Sequence, residues 1–197
     1  SHQRRRSSRC ARRNLVRGGL PVAEVTFRTD AASAAISSLS HRGDILVGAG
    51  TVLTPKQVDE AVDTGANFIV SPGLDEDVVV RCQEVGIPCL PGIATASELI
   101  KALKLSITAV KFFPASTAGG PKAIKALFSA FRQVDFLPTG GINAENAREY
   151  LNLSCVPAVG GSWMVPSKLV DAGKVAELVD LISTAVATVN DLGSDQA

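Results

Sequence analysis

Two ionisable residues stand inside short apolar runs that are typical of β-strands. Glu24 lies within the segment PVAEVTFR and Lys111 within AVKFFP. Because side chains alternate along a strand, Val110 and Phe112 share one face of the second segment and Lys111 takes the other. An ionisable group in a buried strand is costly unless it is partnered or used. Glu24 and Lys111 are therefore the first candidates for chemistry.

The two residues together suit imine chemistry. Apolar neighbours favour the neutral amine of a lysine, which is its nucleophilic form. Attack by Lys111 on a ketone would give a carbinolamine and then a protonated Schiff base, an electron sink that lets a neighbouring C–C bond break. Glu24 is the candidate carboxylate in the middle of a strand run, so we expect it to move the protons. The alternative is a structural ion pair, which contributes little net stability.

Glycine pairs mark the ends of the last two strand runs. Gly140-Gly141 follows one run, and Gly160-Gly161 with Ser162 follows the next. In many barrels a phosphate binds at these ends, held by backbone N–H groups and a helix N-terminus. Two pairs in consecutive units favour such a site, and ordinary turn geometry is the alternative.

Two other strand exits are equally tight. The segment GAGT ends at Thr51, and the segment SPG surrounds Pro72. Thr51 shares its place in the alternation with Val47 and Ala49, and on that basis we expect it to face the same interior as Lys111. Plain turn chemistry is again the alternative.

Short apolar runs alternate with longer amphipathic segments about every 20–25 residues, which predicts βαβ units and a parallel sheet. Thr54 before Pro55, and Thr95 with Glu98, are helix-start signals. The predicted strands are 22–27, 45–49, 68–71, 88–90, 109–113, 136–137 and 157–159. The predicted helices are 31–39, 55–62, 75–84, 95–103, 121–131, 144–151, 167–171 and 174–189.

Either an open doubly wound sheet or a barrel fits this rhythm. No GxGxxG segment follows the first run, which removes the main support for a dinucleotide-binding sheet. Strands covered by helices need an apolar outer face, so Glu24, Thr26 and Arg28 must look into a barrel interior. We therefore predict an α/β fold, a TIM-type (β/α)₈ barrel.

Composition excludes several classes of protein. The chain has 197 residues, 46% of them hydrophobic, which suits one substantial core. No apolar run approaches the ~18–20 residues of a membrane span. His2 and His41 are too few for a His-based metal site or a Ser-His-Asp triad, and we expect no metal and no cofactor. Four cysteines without CxxC spacing predict a reducing, cytoplasmic location.

The N-terminus differs in charge from the rest of the chain. Residues 1–20 hold seven arginines and no acid, whereas all 19 acidic residues follow. We expect 1–17 to be a basic leader that is disordered or non-native. A shifted reading frame or a cloning junction would produce such a segment. The alternative is a genuine truncation with a basic replacement. The barrel domain should span 18–190, with a tail at 191–197. The acidic body offers no basic face, so we expect neither nucleic acid nor membrane as a partner.

The first strand and helix of the predicted barrel are atypical or missing. Residues 1–13 are arginine-rich and poor in β-formers, so we expect them not to form a normal strand. Residues 14–17 should end the first helix at a Gly-Gly pair. The barrel should then be open between the strands at 22–27 and 157–159, with lower stability and weakened activity.

A set of ordered segments carries a family resemblance. These are EVTFRT (24–29), VGAGTV (47–52), IVSPG (69–73), PGIAT (91–95), VKFFPA (110–115), PTGGI (138–142) and GGSW (160–163). Together they resemble the bacterial 2-dehydro-3-deoxy-phosphogluconate (KDPG) aldolases, which also act on 4-hydroxy-2-oxoglutarate (KHG). The resemblance covers about 18–190 and implies a class I aldolase on a (β/α)₈ barrel, usually a homotrimer.

The resemblance implies a reaction and a set of site residues. KDPG would be cleaved to pyruvate and glyceraldehyde 3-phosphate, as in the Entner-Doudoroff pathway, and KHG to pyruvate and glyoxylate. Lys111 matches the Schiff-base lysine and Glu24 the general acid/base. The other implied residues are Arg28 and Thr51 for the pyruvate carboxylate; Pro72, Phe113 and Thr139 for the pocket; and Gly140, Gly141, Gly161 and Ser162 for the phosphate.

Two other function classes stay open. The first is another phosphosugar-binding barrel enzyme, an epimerase or isomerase, which would use the phosphate loops but not a nucleophilic amine. The second is a non-catalytic barrel that lost its activity with its first strand. Trapping with borohydride separates the first class from an aldolase, and ligand binding without turnover would indicate the second.

Overall fold

The computed structural model describes residues 15–27, 31–41 and 43–194. Strands and helices alternate through the described part of the chain. The strands are β1 (Val22–Thr26), β2 (Leu46–Gly50), β3 (Phe68–Val70), β4 (Cys89–Leu90), β5 (Gly92–Ile93), β6 (Ala109–Phe112) and β7 (Asp135–Pro138). The helices are α1 (Ala31–Ser40), α2 (Pro55–Asp63), α3 (Glu76–Val85), α4 (Ala96–Lys104), α5 (Gly120–Ala130), α6 (Ala147–Leu151), α7 (Ser167–Asp171) and α8 (Val175–Ser194).

The strands form a continuous parallel arc. One sheet has the order β1-β2-β3-β4 and the other the order β5-β6-β7. Pro91 joins them, because the Lys111 N–H donates to the Pro91 carbonyl while the Ser71 N–H donates to the Leu90 carbonyl. Beyond β7, Thr139 forms a parallel bridge with Gly160. The arc therefore continues past β7, and β1 forms its opposite edge among the described residues.

Helix starts follow the predicted signals. The Thr54 side chain accepts from the Gln57 N–H ahead of α2, with proline in the first turn. Ahead of α4, Thr95 and Glu98 form the predicted capping box. Each such cap is worth about 1 kcal/mol. No helix in the described ranges is long and apolar enough to cross a membrane.

Two apolar clusters fill the layer between strands and helices. Val47, Ala49 and Ile69 of the first sheet pack in one cluster with side chains of α1, α2, α3 and α8. Phe112 and Phe136 of the second sheet pack in the other cluster with side chains of α4, α5 and α6. Burial of such a side chain stabilises the fold by about 1.5–3 kcal/mol. This layer fixes which strand residues face outward.

Several predicted boundaries were wrong, each for a local reason. β5 was missed because Pro91 and Gly92 are typical of a turn, yet the pair contributes a carbonyl acceptor to β6. The predicted strand at 157–159 is reduced to the single bridge at Gly160. α6 begins at Ala147, not 144, because the Asn143 side chain accepts N–H groups of the preceding turn. α8 continues beyond 189 to Ser194.

The predicted end of the first helix is confirmed. Residues 15–17 are helical, and the Leu20 N–H donates to the Leu15 carbonyl at 2.9 Å. Gly19 has a φ of +83°, the left-handed conformation of a glycine that ends a helix. The predictions for 1–13 fall outside the described residues, so the missing first strand and the gap beside β1 stay predictions.

Candidate active site

Glu24 and Lys111 meet across the barrel interior. They lie on β1 and β6, which belong to different sheets, yet Lys111 Nζ is 3.6 Å from Glu24 Oε1. The Lys111 side chain is 7% exposed and that of Glu24 is 31% exposed. The flanking Val110 and Phe112 are fully buried on the outer face of β6. The structure thus confirms that both ionisable groups project into one interior.

The geometry of this pair suits chemistry better than it suits a structural ion pair. A separation of 3.6 Å exceeds the ~3.2 Å limit of an ordinary N–H···O hydrogen bond. Lys111 Nζ donates no hydrogen bond within the described part of the chain, so the amine is not held by a fixed acceptor. The carboxylate is partly open to solvent, and a small side-chain rotation or one water would bring it within proton-transfer distance of the amine. Glu24 can therefore exchange protons with groups bound at Lys111.

Phe113 connects the lysine to the first Gly-Gly loop. Lys111 Nζ lies 5.0 Å from the centre of the Phe113 ring. The same ring packs against Gly140, where a Cβ would lie 3.3 Å from its atoms. The Phe113 ring therefore lies between Lys111 and the first Gly-Gly loop.

Two glycines near the central pair leave room for neighbouring groups, and the sequence analysis did not assign them that role. A Cβ on Gly50 would overlap the Glu24 carboxylate, and one on Gly92 would overlap the Pro72 backbone. Gly92 pairs in register with Lys111. Glycine inside a strand run is a signal of close approach by another group, and that signal could have found both.

Thr51 occupies a strained position at the end of β2. Its φ is +61°, a conformation that costs a β-branched residue about 1–3 kcal/mol and that concentrates at functional sites. The alternation argument for Thr51 was wrong in its premise, because Val47 and Ala49 face the helices and not the interior. The positive φ interrupts the strand alternation, so parity with those residues does not determine the direction of Thr51.

Pro72 and Thr139 also lie just past strand ends. Pro72 follows β3 in a turn closed by a bond from the buried Ser71 hydroxyl to the Gly73 carbonyl, 2.7 Å long. Thr139 follows β7 and its N–H donates to the Phe112 carbonyl. Both are therefore at the same end of the barrel as Phe113. Arg28, the remaining predicted pocket residue, lies outside the described residues.

The two Gly-Gly loops are neighbours. Gly140 and Gly141 have φ values of +97° and +76°. A Cβ on Gly161 would lie 3.3 Å from the Ile142 carbonyl oxygen, so the second loop runs against the first. Ser162 is exposed. Among the described residues, the backbone N–H groups of Gly141, Gly161 and Ser162 donate no hydrogen bond, which leaves them available to an anion.

Metal ligands are not clustered near this mouth. Within residues 15–27, 31–41 and 43–194, no group of three or more His, Cys, Asp or Glu side chains could hold an ion.

Known proteins are similar to this chain over most of its length. The family model described as "KDPG and KHG aldolase" matches residues 5–181, a match that begins inside the predicted leader. The chain is 44% identical over 173 residues to the KHG/KDPG aldolase of Escherichia coli K12, which covers 87% of this chain and 81% of that protein.

Solved structures show the same fold. A KDPG aldolase from Legionella pneumophila, with pyruvate captured as a covalent carbinolamine, has a TM-score of 0.88 at 40% identity and covers 91% of this chain and 87% of its own. The KDPG aldolase of Zymomonas mobilis ZM4 with 3-phosphoglycerate has a TM-score of 0.86 at 42% identity. The match covers 92% of this chain and 85% of that one. The predicted TIM-type α/β fold is confirmed, and the chain belongs to the KDPG and KHG aldolase family.

Proposed function

We propose that this protein is a class I aldolase that cleaves KDPG to pyruvate and glyceraldehyde 3-phosphate, and KHG to pyruvate and glyoxylate. The observation that carries the proposal is the buried Lys111 amine 3.6 Å from the Glu24 carboxylate, on strands of different sheets. Family membership and the carbinolamine in the Legionella pneumophila relative support the same chemistry. Lys111 is the nucleophile and Glu24 the proton carrier.

The first half of the reaction forms the imine. The Lys111 amine attacks the C2 ketone, and the ketone oxygen takes a proton to give a carbinolamine. Glu24, protonated at this stage, delivers a proton to the leaving hydroxyl, which departs as water. The product is an iminium between Nζ and C2. Low exposure of Lys111 limits the water that would hydrolyse the iminium before cleavage.

The second half breaks the C3–C4 bond. The Glu24 carboxylate removes the proton of the C4 hydroxyl, C4 becomes the aldehyde carbon, and the bonding electrons flow to the iminium nitrogen as an enamine. The aldehyde leaves, and C3 of the enamine takes a proton to give the pyruvyl iminium. Addition of water then releases pyruvate and restores the free amine. One carboxylate can serve each proton transfer because it stands beside the only carbon–nitrogen bond involved.

We assign the keto-acid end of the substrate to the residues around this pair. Arg28 and Thr51 would bind the carboxylate, while Pro72, Phe113 and Thr139 would line the pocket. The strained Thr51 at the end of β2 supports this assignment, since strain of this kind is retained where a side chain or backbone must meet a ligand. The Phe113 ring near Nζ supports an apolar wall beside the imine.

We assign the substrate phosphate to the two Gly-Gly loops. Gly140, Gly141, Gly161 and Ser162 would surround it with backbone N–H groups and one hydroxyl. The free N–H groups and the left-handed glycines support this, because backbone donors in such turns form anion sites. A phosphorylated ligand in the Zymomonas mobilis relative supports an anion site in this family.

Assembly and location complete the proposal. We propose a cytoplasmic homotrimer, as the family resemblance implies. Exposed large apolar side chains such as Leu53 and Ile100 offer surface for an interface, and the free thiols of Cys82, Cys89 and Cys155 fit a reducing compartment. Light scattering should give the mass of three chains, and cell fractionation should place the protein in the cytoplasm. A monomer, or a membrane-bound fraction, would contradict the respective assignment.

The direct test of function is pyruvate release. Purified protein with KDPG or KHG should liberate pyruvate, measured with a coupled lactate dehydrogenase assay. Lys111→Ala should abolish release, whereas Lys101→Ala, which alters an exposed lysine of α4, should not. Isomerisation of a phosphosugar without pyruvate would indicate the epimerase or isomerase alternative, and KDPG binding without turnover would indicate a non-catalytic barrel.

A further inference from the structure

We propose that Ser116 and Asn146 are positioning residues that fix the Gly141 peptide so that the first Gly-Gly loop can discriminate phosphorylated substrate. This inference rests on the proposed phosphate site and adds residues to which the sequence analysis gave no role. Neither side chain needs to touch the substrate. Both act through the backbone of Gly140 and Gly141.

Ser116 holds the loop from the segment that follows the strand of Lys111. It lies in the segment that follows β6, and its N–H donates to the Gly140 carbonyl at 3.0 Å. Its hydroxyl donates to the Gly141 carbonyl, also at 3.0 Å. One residue therefore binds two successive carbonyls of a loop 25 positions away in sequence. The imine strand and the phosphate loop are coupled at this point.

Asn146 holds the same carbonyl from the opposite direction in sequence. Its side-chain N–H donates to the Gly141 carbonyl at 2.8 Å, and its side-chain oxygen accepts from the Asn143 N–H at 2.9 Å. The Asn143 side chain in turn accepts from the Asn146 N–H. With the Ser116 hydroxyl, both lone pairs of the Gly141 carbonyl are engaged.

Fixed carbonyls determine where the adjacent N–H groups point. In a planar trans peptide the N–H is directed opposite to the C=O. The carbonyls of Gly140 and Gly141 both point toward Ser116, so the N–H groups of Gly141 and Ile142 both point away from it. Neither N–H donates within the described part of the chain. Two neighbouring donors on one side form the anion-binding concavity that a phosphate requires.

The close approach also explains why this position is glycine. A Cβ on Gly141 would overlap the Ser116 side chain, and the φ of +76° disfavours any other residue. Ser116 is itself exposed and is not part of an apolar cluster. Removing its hydroxyl therefore leaves the core intact and releases one of the two bonds on the Gly141 carbonyl.

The test compares two substrates that share the chemistry and differ in the phosphate. Ser116→Ala should lower the ratio of kcat/KM for KDPG to that for KHG about tenfold, the scale of one weakened bond to a charged group. The change should appear as a higher KM for KDPG more than as a lower kcat. Ser116→Thr, which keeps the hydroxyl, should restore the ratio. Thr117→Ala is the matched control, because its hydroxyl donates to Pro114 in the same segment and not to the Gly-Gly loop.

Inorganic phosphate gives a readout that does not depend on turnover. Calorimetry should show weaker phosphate binding by Ser116→Ala and by Asn146→Ala than by the wild type or Thr117→Ala. If Gly141→Val loses the substrate ratio and phosphate affinity while Ser116→Ala keeps both, the positioning role is wrong and the proposed phosphate site stands. If the wild-type protein binds no phosphate and does not prefer KDPG, the phosphate site itself is wrong.

Discussion

The mouth of this barrel contains two regions built in different ways. The proposed imine centre consists of two ionisable side chains, Glu24 and Lys111, that meet from different sheets. The proposed phosphate region consists of main chain, with left-handed glycines at 140 and 141 and carbonyls held by neighbouring residues. The first region acts through two side-chain functional groups, for which Gly50 leaves room. The second acts through backbone N–H groups, which depend on free space at the glycines and on the bonds that hold the loop carbonyls.

Apart from loss of the lysine, Glu24→Gln should cause the largest loss of activity. The amide keeps size and hydrogen bonding but cannot act as a base, so turnover should fall roughly 10²-fold or more. Because the missing step is common to both substrates, kcat should fall equally for KDPG and for KHG, with little change in KM. Steady-state kinetics on both substrates measures this, with Glu60→Gln on α2 as the control. Near-full activity, or a loss confined to KDPG, would show that another group carries the proton.

Adding one methyl at Gly50 should damage the imine centre through space alone. A Cβ there overlaps the Glu24 carboxylate, and the backbone of Gly50 is not in the left-handed region, so strain does not contribute. Gly50→Ala should displace the carboxylate and slow cleavage of both substrates about tenfold. Gly73→Ala is the control, since a Cβ at that position meets no atom within 4 Å. Equal kinetics for the two variants would mean that the Glu24 carboxylate can avoid the added methyl group without loss of function.

Substitutions in the Gly-Gly loops should separate the two substrates. Gly141→Val adds atoms where Ser116 packs, and Ser162→Ala removes an exposed hydroxyl. Both should weaken the binding of KDPG, by about tenfold for the first and less for the second, and largely spare KHG. The measurement is KM for each substrate. Equal losses for both substrates would place the phosphate elsewhere.

The smallest effect should fall on stability and leave both regions of the mouth unchanged. Burial acts to raise the pKa of Glu98, but hydrogen bonds from Ala94 and Thr95 outweigh it and lower that pKa below its usual value. A depressed carboxylate pKa stabilises the fold above the usual value, and this contribution is lost as the pH falls through the folded-state pKa.

Glu98→Gln keeps the capping pattern, so its cost should be at most about 1 kcal/mol at pH 7 and smaller at pH 3. Urea unfolding at the two pH values measures this, with the exposed Glu149→Gln as the control. A cost that grows toward acid would contradict the sign. The ratio of KDPG to KHG cleavage should not change.

Alternation and polarity in the sequence were enough to predict that Glu24 and Lys111 share the barrel interior. A strand residue faces either the helices or the barrel interior. Because Val110 and Phe112 face the helices, Lys111 between them faces the interior. The same rule failed at Thr51, because Val47 and Ala49 are small and apolar on the face that α1 and α2 cover. Thr51 has a positive φ, which cannot be predicted from a threonine in the sequence, and this ends the alternation there.

The contacts that sequence could not predict are those made between distant segments. Gly50 and Gly92 signal that some group approaches closely, but only the fold shows that Glu24 and Pro72 fill the space beside them. The bonds from Ser116 and Asn146 to Gly141 could not be predicted either, since a serine or an asparagine is equally compatible with a position facing solvent. Local propensity carries no information about such partners.

The most direct test of the account is the site of imine trapping. Protein incubated with pyruvate and then reduced with borohydride should gain one reduced pyruvyl group, and peptide mapping by mass spectrometry should place it on Lys111. Glu24→Gln should still form the adduct, more slowly, whereas Lys111→Ala should form none. An adduct on an exposed lysine such as Lys56, Lys101 or Lys122, or no adduct with the wild-type protein, would contradict the assignment of Lys111 as the nucleophile.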